Sequence, residues 1–412
     1  MINRNLAKDV ILRGIQVIAK QGITLLIFFI SASILSSYEF GVYNFLLAII
    51  YIFIVFGDFG ISQAVSKIIA EEREKKEAKI GDIISNSFII ITLITIISLI
   101  ILLFLNKQIF GEFSAYSYYI IPLIFLIPAS SLLDGIYRGE ERFMRLSVTT
   151  VIVGIITVPA MMILIKLYGI KGAILSLVLF NLMMTLSLMI GIRKVKFSYD
   201  KQLIKNISRD SLIIGLGSIG LYLYTKVDLI FLGYFGFIKE VAYYEIINKI
   251  QVIFLTPFLV IAQVIGPRIT RLYARGFRAE VIKRLNKTII YSIISGLIIC
   301  LTIFLFKKSL FEALLPGYAT TEMYSILNIM LIVYFTQILT SIIPVGFTIS
   351  TGHAKISMII LLIFGFLNVV LDFVLISVMG FIGVIYATVI CKVSADLFFL
   401  GLYKKKLRCQ DR

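Results

Sequence analysis

Apolar runs of roughly twenty residues recur along the whole of this chain, separated by short polar links. A helix needs about that many residues to cross a ~30 Å hydrocarbon layer. Lipid offers the backbone no hydrogen-bond partner, so each run must satisfy its own N–H and C=O groups as a helix. A water-soluble core has no use for so much apolar surface: 59% of the 412 residues are hydrophobic and only 15% are charged. The runs place spans at 15–35, 42–64, 83–105, 118–137, 146–166, 172–192, 211–235, 241–265, 288–306, 321–345, 356–378 and 382–402. The expected fold is an all-α polytopic membrane protein of about twelve transmembrane helices. The first run lacks a small-residue cleavage site, so it reads as a retained helix.

A formal charge of +17 raises the question of nucleic acid, and its distribution argues against that partner. The charges sit in short blocks between apolar runs, as juxtamembrane anchors do. Lys and Arg total 29 in the tail and one alternate set of links, including the block from Arg268 to Lys287 and the tail Lys404 to Arg412. The opposite links hold six: Lys107, Lys166, Lys171, Lys239, Lys307 and Lys308. That asymmetry predicts both termini in the cytoplasm. The mixed-sign stretch Glu71 to Lys79 reads as a solvated surface helix.

The chain repeats itself. At an offset of 201, Gly14 matches Gly215, Glu39 matches Glu240 and Tyr43 matches Tyr244. At 211, the stretch Gly169 to Ala173 matches Gly380 to Val384. Six spans per half, each half starting on the same side, make the repeats parallel, with a cleft expected between two six-helix bundles. The expected division is an N-terminal lobe at 1–195, a basic cytoplasmic linker at 196–210, a C-terminal lobe at 211–403 and a basic tail at 404–412.

Ionisable residues inside apolar runs carry the functional signal. In the hairpin KVDLIFLGYFGFIKEVAYYEIINK, Lys226 and Asp228 lie in one run, Glu245 and Lys249 in the next. Lys20, Asp58, Asp134, Asp372, Lys392 and Asp396 lie inside other runs. At roughly 2.5–3.5 kcal/mol each near a helix centre, exposing all of them to lipid would cost ~30 kcal/mol, so they are expected to face inward. The charge-free spans 3, 5, 6, 9 and 10 are then expected to form the lipid-facing wall. Depth suggests pairing of Lys20 with Asp58, Asp228 with Lys249, Glu245 with Lys249, and Lys392 with Asp372 or Asp396. Arg13, Lys67 and Arg138 are expected to make an inner vestibule suited to an anionic headgroup. Buried ion pairs that only hold helices in register are the competing reading of these charges.

Other motifs point elsewhere. Gly215 to Gly220 satisfies GxGxxG, but no strand precedes it, and small residues for close helix approach are the better reading. His353 stands alone, so no metal centre and no cofactor is expected. Cys300, Cys391 and Cys409 suggest no disulfide framework. Pro122, Pro128, Pro159, Pro257 and Pro344 within spans allow bends that could serve gating or static curvature.

With these residues in view, the chain resembles the polysaccharide biosynthesis protein family, the lipid-linked oligosaccharide flippases of the multidrug/oligosaccharidyl-lipid/polysaccharide exporter superfamily. The resemblance rests on SSYEFGVYNF (Ser36 to Phe45), FGDFGISQAVSKIIAE (Phe56 to Glu71), YRGEERF (Tyr137 to Phe143), LYGIKGAIL (Leu167 to Leu175) and the hairpin from Lys226 to Ile250. It implies two bundles around a central cavity. It implies movement of an isoprenoid-diphosphate-linked oligosaccharide across the cytoplasmic membrane by alternating access, with membrane lipids around it; energy is expected from an ion gradient, with H+ or Na+ as the coupling ion, or from consumption of product on the outer face. It points to Lys20, Asp58, Lys226, Asp228, Glu245 and Lys249 as the substrate cavity, with Asp134, Asp372, Lys392 and Asp396 as further buried charges. Asp228 and Asp58 are the first choices for a coupling carboxylate. No enzymatic activity is expected. The rivals are a cation-coupled small-molecule or multidrug antiporter, a polytopic glycan polymerase or glycosyltransferase, and a membrane scaffold. A polymerase would need a large outer loop, and the stretches near 106–117 and 307–320 are short.

Overall fold

The computed structural model describes the backbone of residues 4–73, 79–192 and 198–409, with side chains at Gly14 and Gln16 and from Ala19 to Leu407 within those ranges. Helix makes up 91% of it. The chain divides into two compact units, Met1–Ile219 and Gly220–Arg412. The first holds α1 (Arg4–Ile34), α2 (Ser37–Asp58), α3 (Ile61–Glu72), α4 (Ile80–Phe110), α5 (Ser114–Ile120), α6 (Leu123–Gly139) and α7 (Phe143–Met189). Helix α8 (Lys201–Thr225) carries the chain into the second unit. That unit continues with α9 (Val227–Tyr234), α10 (Ile238–Ala274), α11 (Arg278–Leu314), α12 (Thr321–Thr340), α13 (Ala354–Met379) and α14 (Phe381–Cys409). The protein is a multi-pass integral membrane protein.

Among the described residues, eight helical segments are long and apolar enough to cross a membrane, nine with the bent pair α8 and α9 taken as one. Helix α7, 47 residues long, would stretch about 70 Å at 1.5 Å per residue, twice a bilayer core. It is in fact two helical segments, broken at Gly169, whose φ of 54° with ψ of −128° is a combination that suits glycine alone. The apolar helix in 19–34 is shorter, and α6 is 17 residues long.

The repeat seen in the sequence is repeated in geometry. Gly380 breaks the chain between α13 and α14 with φ 62° and ψ −143°, close to the 54° and −128° of Gly169. Three residues on, a Cβ built on Gly172 would lie 1.9 Å from the carbonyl oxygen of Leu164, and one on Gly383 would lie 2.1 Å from that of Leu375. The chain folds back on itself so tightly that only hydrogen fits. Gly383→Ala is therefore expected to destabilise the second unit by about 3 kcal/mol, the upper end for overpacking, because the obstacle is backbone that cannot rotate away. Gly401→Ala in α14 meets nothing within 4 Å and is expected to stabilise by about 0.5–1 kcal/mol through helix propensity. Thermal unfolding of the two variants in detergent checks both signs.

The GxGxxG stretch packs helices, as expected of small residues in a membrane. A Cβ on Gly215 would strike the Phe59 ring at 2.5 Å, and one on Gly220 would come within 2.9 Å of the Leu362 nitrogen. Leu203 and Ile207 of α8 pack into the apolar core of the first unit with Ile69, Leu132, Ile136 and Leu188.

The expected lipid-facing wall holds for only part of its members. The apolar window of α11 is 17% buried and that of α4 with α5 is 22% buried, as charge-free spans should be. Span 10, comprising α12 and the π-helical turn Pro344–Ile349, is 56% buried. Absence of charge misleads there because α12 presents uncharged polar groups inward. Tyr334 donates to the Ile247 carbonyl, and Thr340 to Asp396 at 2.8 Å.

Candidate functional site

The second unit gathers most of the buried charge. Helix α8 ends at Thr225 and α9 starts at Val227, bent by 47° around Lys226, whose φ of −131° is not helical. The bend frees Lys226 to reach α10, where its Nζ lies 2.7 Å from Glu245 Oε1. Lys249, one helical turn along α10, reaches the same oxygen at 3.5 Å. The Glu245 side chain is 4% exposed, against 28% for Lys226 and 24% for Lys249. One buried carboxylate thus anchors two partly exposed ammonium groups, leaving a net positive charge at the accessible side. Glu245 Oε2 is buried without a hydrogen-bond partner in the protein.

Two residues beyond the bend, Asp228 opens α9 and is fully buried. A carboxylate in the first turn suits the positive end of the helix dipole. Its Oδ2 accepts from the Tyr244 hydroxyl, and its Oδ1 accepts from Asn368 Nδ2 at 2.6 Å. The same amide nitrogen donates to Asp372 Oδ2 at 3.2 Å, so one amide bridges two carboxylates. Tyr244 also meets Thr388 Oγ1 at 2.7 Å, tying α14 to the network. Asp372 is fully buried, and Lys392 on α14, only 3% exposed, lies within electrostatic reach of Asp228, Asp372 and Glu245. Asn368 Oδ1 and Asp372 Oδ1 are buried acceptors with no protein donor.

Those features define what this cluster can hold. Leaving an acceptor buried and unpaired costs roughly 1–3 kcal/mol, and two such oxygens lie one helical turn apart on α13. Two carboxylates against Lys392 leave one negative charge uncompensated. A proton or one monovalent cation would balance that charge, and carboxylate, amide and hydroxyl oxygens are the donors that hard cations prefer. No group of His, Cys, Asp and Glu among the described residues has the make-up of a metal centre. His353 is held structurally, its Nδ1 3.0 Å from Thr351 Oγ1 and its ring edge-on to Tyr273 and Tyr403.

The remaining expected residues are dispersed. In the first unit Asp58 ends α2 and receives hydrogen bonds from the Ser62 amide at 3.0 Å and the Ser62 hydroxyl at 2.9 Å. It therefore caps α3 across the left-handed pair Phe59 and Gly60. Lys20 is exposed. Asp134 accepts from Gln16 at 2.9 Å and pairs with Arg138 at 2.9 Å. Lys67 pairs with Asp210 at 3.6 Å and with Glu71 at 3.8 Å. The side chain of Arg13 lies outside the described residues. Asp396 binds Thr340 and borders an apolar cavity of about 330 Å³ shared with Tyr224, Pro344 and Phe399.

Glu245 and Lys249 do pair as expected. Asp228 instead turns to Tyr244 and Asn368, and Asp396 to Thr340. Sequence reasoning missed the uncharged partners Tyr244, Asn368 and Thr388. A signal existed: Asn368 stands four residues before Asp372, and Thr388 four before Lys392, one helical face in each case.

Comparison with known proteins matches residues 6–273 to the polysaccharide biosynthesis protein family. The chain belongs to that family. Residues 214–374 also match the MatE family. Comparison with curated proteins finds no match. Among solved structures, the lipid II flippase MurJ in an inward closed conformation is similar at 18% identity and a TM-score of 0.79, covering 96% of this chain and 87% of that one. An inward-facing multidrug resistance MATE family transporter of the MOP superfamily is similar at 14% identity and a TM-score of 0.74, covering 96% and 98%. MATE in complex with Br-NRF gives 16% and 0.63 over 99% and 96%. At these identities the likeness shows a shared fold over nearly the whole chain.

Proposed function

We propose that this member of the polysaccharide biosynthesis protein family is a flippase. It moves an isoprenoid-diphosphate-linked oligosaccharide across the cytoplasmic membrane by alternating access, for surface polysaccharide or glycan assembly. The observation that carries this reading is the cluster of Lys226, Glu245 and Lys249. Two ammonium groups, each about a quarter exposed, share a single buried oxygen inside a membrane-crossing unit. Lysine pairs of this kind suit a diphosphate through charge-assisted hydrogen bonds. The similarity to a lipid II flippase supports the same reading. The network of Asp228, Asn368, Asp372 and Thr388 supplies the coupling site, taking up Na+ or H+ to complete its charge. Lys20, Asp58, Arg13, Lys67 and Arg138 are assigned to the substrate's path.

In a strain lacking its own flippase, the wild-type chain is expected to restore surface glycan and to clear lipid-linked precursor from the inner leaflet. Lys226→Ala with Lys249→Ala, expressed at equal level, should leave the precursor there. Restoration by the double variant would sink the reading.

One observation favours a second reading, a cation-coupled small-molecule antiporter. The apolar cavity beside Asp396 has a single carboxylate, with Oδ2 buried and unpartnered, and would suit an amphipathic cation. That reading requires the chain to raise resistance to cationic dyes, and to lose the effect in Asp396→Asn.

A further inference from the structure

The hairpin between α10 and α11 carries a concentration of charge that the transport site does not use. Arg268 and Arg271 on α10 and Arg275 at its C-terminal cap follow at spacings of three and four, which puts them on one side of the helix end. Arg284 of α11 joins them around a cavity of about 310 Å³ floored by Leu272. Among the described residues, no acid lines that cavity. Glu280, the one acidic residue among the twenty from Arg268 to Lys287, is engaged by Arg284 at 2.9 Å. The equivalent end of the first repeat, Glu71 to Lys79, balances its four bases with four acids. Ordinary juxtamembrane anchoring explains a basic link, but not four guanidinium groups turned into one recess.

What lies next to the recess names its occupant. Along α11, Arg284, Lys287 and Tyr291 share a face that continues into Ile294, Ile298 and Leu301, all exposed. Lys287 Nζ sits 5.6 Å from the centre of the Tyr291 ring, an arrangement suited to the membrane interface. Helix α11 is the most lipid-exposed of the described spans, with 17% of its apolar window buried. A strip of apolar surface long enough for acyl chains thus runs up to a pocket of arginines. Arginine's planar fork pairs two-to-two with phosphate oxygens, and basic recesses between helix ends recognise anionic headgroups.

We infer that the recess formed by Arg268, Arg271, Arg275 and Arg284 binds the phosphate of an anionic membrane lipid whose acyl chains lie along α11. It is a separate site from the cluster of Lys226, Glu245 and Lys249. It holds a resident lipid against the second unit and does not depend on what the protein transports.

Native mass spectrometry of the full chain released from micelles tests this, with phosphatidylglycerol as the probe. The variant R268Q/R271Q/R275Q is compared with K404Q/K405Q/K406Q, which removes the same charge from the end of α14. The arginine variant is expected to retain phosphatidylglycerol about a hundredfold less well, at about tenfold or less per charge, and the lysine variant within about twofold of wild type. Equal loss in both variants, or none in either, would overturn the assignment. Inorganic pyrophosphate forms a separate arm: if it displaces phosphatidylglycerol at equal concentration, the recess selects soluble phosphate and the lipid assignment fails. Unchanged unfolding temperatures in lipid-free detergent separate lost binding from lost folding.

Discussion

Replacing Glu245 with alanine is expected to destabilise the second unit by about 3–5 kcal/mol, the cost of stranding buried charge by removing its partner. The carboxylate is shared by Lys226 at 2.7 Å and Lys249 at 3.5 Å, and Lys392 lies within electrostatic reach. Without it, Lys226 and Lys249 would face each other in a medium that screens them poorly. Glu245→Gln keeps the shape and one hydrogen bond, so its cost should resemble that of alanine if charge is the cause and be much smaller if packing is. Adding Lys226→Met to Glu245→Ala should recover part of the loss, because the stranded charge goes with it. Unfolding temperatures of wild type, Glu245→Ala, Glu245→Gln, Lys226→Met and the double variant in one detergent decide the matter. A fully additive cycle would show that the pair contributes nothing.

The second large effect is expected at the paired carboxylates. Asp372→Asn should abolish acceleration of transport by the coupling cation, a loss of up to about a hundredfold if coupling lies in the usual range of 1–3 kcal/mol. The geometry explains why. Asn368 Nδ2 already bridges Asp228 and Asp372, and the unpartnered oxygens Asn368 Oδ1 and Asp372 Oδ1 lie one turn apart. Removing one negative charge lets Lys392 balance the remaining one, so the need for a cation disappears. The Asn variant should therefore unfold at the same temperature with or without Na+, whereas wild type is stabilised as the ion binds the folded state alone. The comparison is made in choline and in sodium at fixed pH, and repeated across pH to separate Na+ from H+. A wild-type protein indifferent to both ions would remove this cluster from the coupling mechanism. Asp58 provides the contrast. Its carboxylate caps α3 through Ser62, so Asp58→Asn is expected to leave the ion response intact.

Much of the candidate site was legible as charge in an apolar run and little of it as geometry. Glu245 and Lys249 are four apart on one helix, so their pairing follows from helical pitch alone. Lys226 joins them only because α8 breaks at Thr225 and α9 sets off at 47°, which no residue pattern announces. Asp228 was expected to find a lysine and instead found a tyrosine and an asparagine. Depth along a span says which charges share a layer, not which faces meet. Uncharged partners leave no mark in a reading that counts charges. That also explains the misplacement of span 10, whose Tyr334, Thr336 and Thr340 are buried without any charge to betray them.

What the amino-acid order determined by itself is the number and kind of elements. Lipid gives the backbone no partner, so an apolar run of membrane length has one outcome, a helix. Glycines repeating at a fixed offset determined the two matching turns at Gly169 and Gly380, because only that residue tolerates their dihedrals. The tertiary structure alone decided which buried charges are neutralised and which stay open. That depends on the rotation of each helix about its axis and on where it bends. Those angles are set by the packing of whole faces, in which a single charge contributes little, so they cannot be recovered from any one helix read alone.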